Sequence, residues 1–217
     1  MSQLIFKFPF KTTYYDKDFF VSSNNFEAYK LIESWPNWTN KKINIFGTNG
    51  CGKTHLSNIL KRKIDTIYIK APELTDKMLI DLKHSKCLIV DDYNDNINEK
   101  LLYSLLNQAN QFNQYILVNS LKPIKNAKLK LVDLKSRLNS FTELGITLPT
   151  DDLLMVILTK SFSDKQIKVN VKVLEYILKN IERSYEVVFK FIKEIDKESL
   201  STGKSININL IKKVLKQ

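Results

Sequence analysis

Three of the chain's five glycines fall within six residues, in the stretch NIFGTNGCGKTHLSNIL at 44–60, and Lys53 and Thr54 follow them at once. Glycine inside regular structure costs roughly 0.5–1 kcal/mol relative to alanine. A sequence this sparing of glycine places it where the backbone must curl in a way that other residues resist. The curl lies between an apolar run, KINIF, and THLSNILKRK, in which Leu56, Ile59 and Leu60 stand at helical spacing. Strand, glycine loop and helix in that order are the first unit of a parallel sheet covered by helices.

The following residues keep the rhythm. TIYIKA, CLIVDDY and QYILVNS read as three more short strands. NEKLLYSLLNQANQF places Leu101, Leu102, Leu105, Leu106 and Ala109 on a helix, and LTDKMLIDLK at 74–83 reads as another. Runs such as CLIV and YILV suit strands covered on both faces. Ahead of them, SSNNFEAYKLIESW reads as a helix started by Ser or Asn and ended by Pro36. After ITLPTDD the rhythm changes: DDLLMVILTKSF, NVKVLEYILKNI, SYEVVFKFIKEIDKESL and NINLIKKVLKQ all read as helices, and SINI at 205–208 is a weak strand signal. The expected organisation is an extended N-terminal peptide at 1–12, an α/β nucleotide-binding domain at 13–149 and a small all-α domain at 150–217.

Composition narrows the setting. Hydrophobic residues make up 43% and charged residues 26%, which fits a globular core. No apolar run approaches the ~18–20 residues that span a bilayer, and no signal peptide is legible. Cys51 and Cys87 form neither a disulfide framework nor a metal signature, so a reduced, cytoplasmic setting without a membrane partner is expected. The net charge of +11 fits either nucleic acid or a lysine-rich surface; the scatter of the lysines favours the surface.

Gly47, Gly50, Gly52, Lys53 and Thr54 match G-x-x-x-x-G-K-[ST], with a strand before and a helix after. In such a P-loop, backbone N–H groups from Gly47, Thr48, Asn49, Gly50, Cys51, Gly52 and His55 surround phosphate oxygens, and the helix N-terminus adds its dipole. Lys53 would reach the β- and γ-phosphates of ATP or ADP, and the Thr54 hydroxyl would ligate Mg²⁺. CLIVDD supplies the acids: Asp91 for the Mg²⁺ shell and Asp92 to polarise an attacking water, or else two strand-end aspartates that cap a turn. Asn119 and Ser120 end the fourth strand, where a polar side chain can meet the γ-phosphate or merely finish the strand. Cys51 would be open to thiol reagents if exposed.

GTNGCGKTHL followed by LIVDD resembles the AAA+ module of DnaA-type replication initiators. FFVSSNNFEAYKLIESWPNW resembles the segment before the P-loop in the shorter Hda relatives, regulatory inactivators of DnaA, and the helical tail resembles the family's lid. LKSRLNSF resembles the box that carries the arginine finger, here Arg137, which on the residues alone could equally pair with Asp133. QLIFKF resembles the peptide by which Hda binds the sliding clamp, with Gln3 entering a polar pocket and Leu4 and Phe6 an apolar one; an edge strand covering the core is the plainer alternative. The helices run to Gln217, and the resemblance then implies a regulator without the initiator's helix-turn-helix domain. It also implies a DnaA-type initiator and the clamp as partners, with DNA met through the clamp and self-association left open. One departure stands out: Glu186 falls where the initiators' lid arginine would sit, with Arg183 expected one helical turn earlier. The open alternatives are a helicase loader and a non-catalytic adaptor between clamp and initiator.

Overall fold

The structure, a computed structural model, describes residues 19–77, 82–203 and 205–215. Gln3, Leu4 and Phe6 lie outside the described residues. The chain divides into two compact units, with Thr147 closing one and Leu148 opening the other.

The first unit is built on five parallel strands: β1 (Lys42–Phe46), β2 (Thr66–Lys70), β3 (Cys87–Tyr93), β4 (Tyr115–Ser120) and β5 (Thr142–Gly145), in the order β2-β3-β4-β1-β5. After β1 the chain moves out to β2 and steps back through β3 to β4. The carboxyl ends of β1, β3 and β4 therefore open side by side, at the place where α/β sheets hold ligands.

The register sorts the side chains. Tyr68 pairs with Ile89, Ile89 with Leu117, and Leu117 with Ile43, so these four share one face of the sheet. Period-two alternation puts Asp91, Asn119 and Ile45 on that face too. The face is shared with helix α2 (Lys53–Lys63), which packs on helix α1 (Phe26–Glu33). Leu88, Val90, Ile116 and Val118 point the other way, into a core with Leu102, Leu105 and Leu106 of helix α3 (Glu99–Gln111) and Leu134 and Leu138 of helix α4 (Val132–Asn139).

Three stretches differ from, or add to, the reading of the sequence. Leu74 to Lys77 form no helix, and Leu82–His84 is a single 3₁₀ turn; the stretch between lies outside the described residues. The SINI strand is absent: residues 205–207 are irregular and a helix begins at Ile208. β5, with the sequence TELG, has no apolar run to announce it; it is held at a sheet edge by β1.

The second unit is four helices: α5 (Asp151–Asp164), α6 (Val171–Asn180), α7 (Tyr185–Thr202) and α8 (Ile208–Leu215). Leu154, Leu158, Phe162, Leu174, Ile177, Phe191, Ile195 and Ile211 are among its core residues. Three of the four starts are capped: Thr150, Asn170 and Asn207 each accept a backbone N–H from the first turn that follows. Among the described residues no helix is long and apolar enough to cross a membrane.

Glu99 joins two helices of the first unit. Its carboxylate, at the start of α3, accepts N–H groups of Lys130 (3.0 Å) and Leu131 (2.6 Å), the residues leading into α4. These donors hold its carboxyl below the usual glutamate value. A depressed folded-state pKa stabilises above the unfolded value and is lost as pH falls through the folded one. Glu99→Gln should therefore melt below wild type at neutral pH, and the gap should close on acidification through and below the glutamate range; thermal melts across that range check it.

Candidate functional site

The loop between β1 and α2 is shaped by its glycines. Gly50 and Gly52 have φ of 81° and 103°. A Cβ on Gly47 would meet the Ile146 carbonyl oxygen at 2.7 Å, and one on Gly52 would meet the Phe19 ring at 2.8 Å. Among the described residues, the N–H groups of Gly50, Gly52 and Thr54 donate to no other protein group. They stand at a helix start, where backbone donors lack intrahelical partners and the dipole favours an anion. The Lys53 ammonium lies among them, nearly buried, donating to the carbonyls of Gly47 (2.7 Å) and Thr48 (3.0 Å). Asn49 is exposed at the loop crest.

Beside this loop sits a buried carboxylate. Asp91, 1% exposed, accepts four hydrogen bonds. Its Oδ2 takes the Thr54 hydroxyl (2.8 Å) and the Tyr68 hydroxyl. Its Oδ1 takes the Asn119 amide nitrogen (2.9 Å) and the Asp92 N–H (3.0 Å). The fold thus brings together the two residues expected to form the Mg²⁺ shell. Asp92 is exposed, with φ 56° at a register shift of β3. Positive φ is uncommon outside glycine, asparagine and aspartate.

For Asn119 the sequence leaves two readings, a γ-phosphate contact or a plain strand end. It is fully buried, and its amide nitrogen is spent on Asp91 and on Ser57 Oγ (2.7 Å). Ser120 donates to the Lys122 carbonyl and accepts from Asn44. Tyr68 and Ser57 were missed as site residues; the signal was their position, a phenol on the strand next to β3 and a hydroxyl one turn beyond Thr54. His55 makes an edge contact with Phe19 (5.3 Å between centroids), which stacks on Tyr29 (5.6 Å). Cys51 is buried at 3.8 Å from Lys53 Nζ, and burial raises its thiol pKa against the pull of that ammonium. The thiol is therefore not exposed to reagents. Among the described residues no cluster of His, Cys, Asp and Glu suits a separate metal site.

Arg137 lies on α4, half-buried, and no ion pair engages it among the described residues; Asp133, one turn earlier, is not its partner. In the helical unit, Arg183 is not one helical turn before Glu186. It precedes α7 altogether and forms a two-pronged ion pair with Asp151 (2.9 and 3.1 Å). Glu186 is exposed in the first turn of α7, where an acid complements the helix dipole.

The whole chain aligns at 26% identity with the chromosomal replication initiator protein DnaA of Buchnera aphidicola, and spans about half (53%) of that protein's length. Domain III of the Thermotoga maritima replication initiation protein DnaA superposes with a TM-score of 0.78 at 17% identity, over 96% of this chain and 98% of that one. The family profile of the Hda lid domain matches residues 151–215. The chain is thus similar to DnaA in sequence and in fold, and its residues 151–215 match the Hda lid-domain family. A profile described as RNA helicase matches residues 43–130, the part that holds the P-loop and Asp91. Among DnaA-related structures, AMPPCP-bound DnaA from Aquifex aeolicus superposes with a TM-score of 0.68 at 19% identity, over 85% of this chain and 65% of that one. The likeness in fold agrees with the loop, the β3 carboxylate and the strand order.

Gly52 tests the loop most simply. Its φ of 103° and its contact with Phe19 both oppose a side chain. Gly52→Ala should lose at least about 1–2 kcal/mol of stability, the strain of a left-handed residue, in urea unfolding followed by circular dichroism.

Proposed function

We propose that the chain is a cytoplasmic, Hda-like regulator of chromosomal replication initiation that holds an adenine nucleotide and acts on a DnaA-type initiator. The observation that carries this is the Hda-type lid following a formed P-loop site.

The residues fit Mg²⁺ and ATP or ADP. The free amides of Gly50, Gly52 and Thr54 suit phosphate oxygens, in a loop whose course at Gly47 and Gly52 leaves no room for a Cβ beside Ile146 and Phe19. Thr48, Asn49, Cys51 and His55 complete the loop. Lys53 would hold the β- and γ-phosphates, and Thr54, oriented by Asp91, would hold Mg²⁺. The ion supplies neutralisation of phosphate charge. Asp92 would orient a water, and Asn119 would act on Asp91 from beneath.

In the regulator, Arg137 is offered to the ATP site of the initiator, where a guanidinium supplied in trans stabilises charge on the transferring phosphoryl group. Its freedom from ion pairs among the described residues supports that role. The proposed clamp peptide is QLIFKF, with Gln3, Leu4 and Phe6 as its anchors. A second reading, the non-catalytic adaptor, is favoured by the helical unit: on the resemblance Glu186 takes the place of the initiators' lid arginine, and Arg183 is committed to Asp151.

Turnover of initiator-bound ATP, with and without a DNA-loaded clamp, separates the two. The regulator predicts stimulation only with the clamp, a loss on the order of 10³-fold in Arg137→Ala, and a similar loss in Gln3→Ala at limiting clamp. Unchanged turnover with intact clamp capture supports the adaptor. Loss of both effects removes clamp and initiator as partners.

A further inference from the structure

We propose that Tyr68 is a positioning residue for the Mg²⁺ site, setting Thr54 through Asp91; this rests on the nucleotide reading above. Tyr68 lies on β2, an edge strand, half-buried and in register with Ile89 on the α2 face of the sheet. Its ring lies under the Lys61 ammonium of α2, at 5.5 Å from the centroid. Its hydroxyl donates to Asp91 Oδ2, the oxygen that also accepts from Thr54.

Packing alone does not call for that hydroxyl. Phenylalanine would fill the same space and keep the contact with Lys61. What the oxygen adds is a donor to a buried carboxylate whose other oxygen is held by Asn119 and by the Asp92 N–H. A carboxylate has about four acceptor positions, and here all four are engaged. The consequence falls on Thr54. Its proton is committed to Oδ2, so the oxygen's lone pairs face away from Asp91 and are available to a cation. A carboxylate free to rotate would release that proton to other acceptors. Groups that orient metal ligands in this way typically change metal affinity by about 10–100-fold when removed.

The experiment is a titration of a fluorescent ADP analogue into the full chain at graded free Mg²⁺ and in EDTA. Tyr68→Phe should match wild type in EDTA and need about 10-fold more Mg²⁺ for the half-maximal effect. Melting curves without nucleotide, at wild-type temperature, exclude a folding defect. In an Asp91→Asn background, Tyr68→Phe should add no further shift, because residues acting through one group are not additive. If wild type binds nucleotide with no Mg²⁺ dependence, the Mg²⁺ reading falls and this inference with it. An unchanged Mg²⁺ requirement in Tyr68→Phe, or equal weakening in EDTA, overturns the Tyr68 assignment alone. A full shift in the Asp91→Asn background overturns the route through Asp91.

Discussion

Everything around the P-loop is oriented by one buried carboxylate. An ionised group removed from water is tolerated only when its hydrogen-bonding capacity is met. Asp91 meets it by drawing donors from three different elements: Thr54 from α2, Tyr68 from β2 and Asn119 from β4, with the Asp92 amide completing the set. The parallel order β2-β3-β4 makes this possible, since it places both neighbouring strands within reach of the end of β3. Ser57 extends the network to the next turn of α2 by accepting from Asn119. The helix that carries the phosphate loop is thus tied to the sheet by polar bonds at its start and by Leu56, Ile59 and Leu60 along its buried side.

The loop itself is held by a different device. Lys53 turns its ammonium onto the carbonyls at 47 and 48, and the backbone at 50 and 52 adopts conformations suited to glycine. Carbonyls satisfied by a cation and amides left without protein acceptors make a surface biased toward anions. The same loop packs Gly47 against Ile146 just after β5, so an edge strand with little apolar content still matters to the site.

Much of this was legible in the sequence, for physical reasons. The glycines, Lys53 and Thr54 have few alternatives at that spacing, and CLIVDD is a buried strand whose end must expose or satisfy two acids. Helices of the second unit carry strong apolar periodicity, and three of the four start on a Thr or Asn cap. What was not legible depended on register or on neighbours. β5 is four residues without an apolar run and exists because β1 offers it an edge. Tyr68 looks like one more aromatic in a strand until the pairing with Ile89 places it on the α2 face, toward Asp91. Asn119 reads as a phosphate contact or a plain strand end, and burial commits its amide nitrogen to Asp91 and Ser57. Arg183 sits outside helical periodicity altogether, so its spacing from Glu186 carried no information about a shared face.

The most direct test of the central claim is amide hydrogen exchange of the full chain with and without Mg²⁺-ADP. The account predicts slowed exchange concentrated at residues 47–55 and around Asp91 and Asp92, where the loop amides and the carboxylate network meet. Protection confined to other parts of the chain, or none at all under saturating nucleotide, would contradict it.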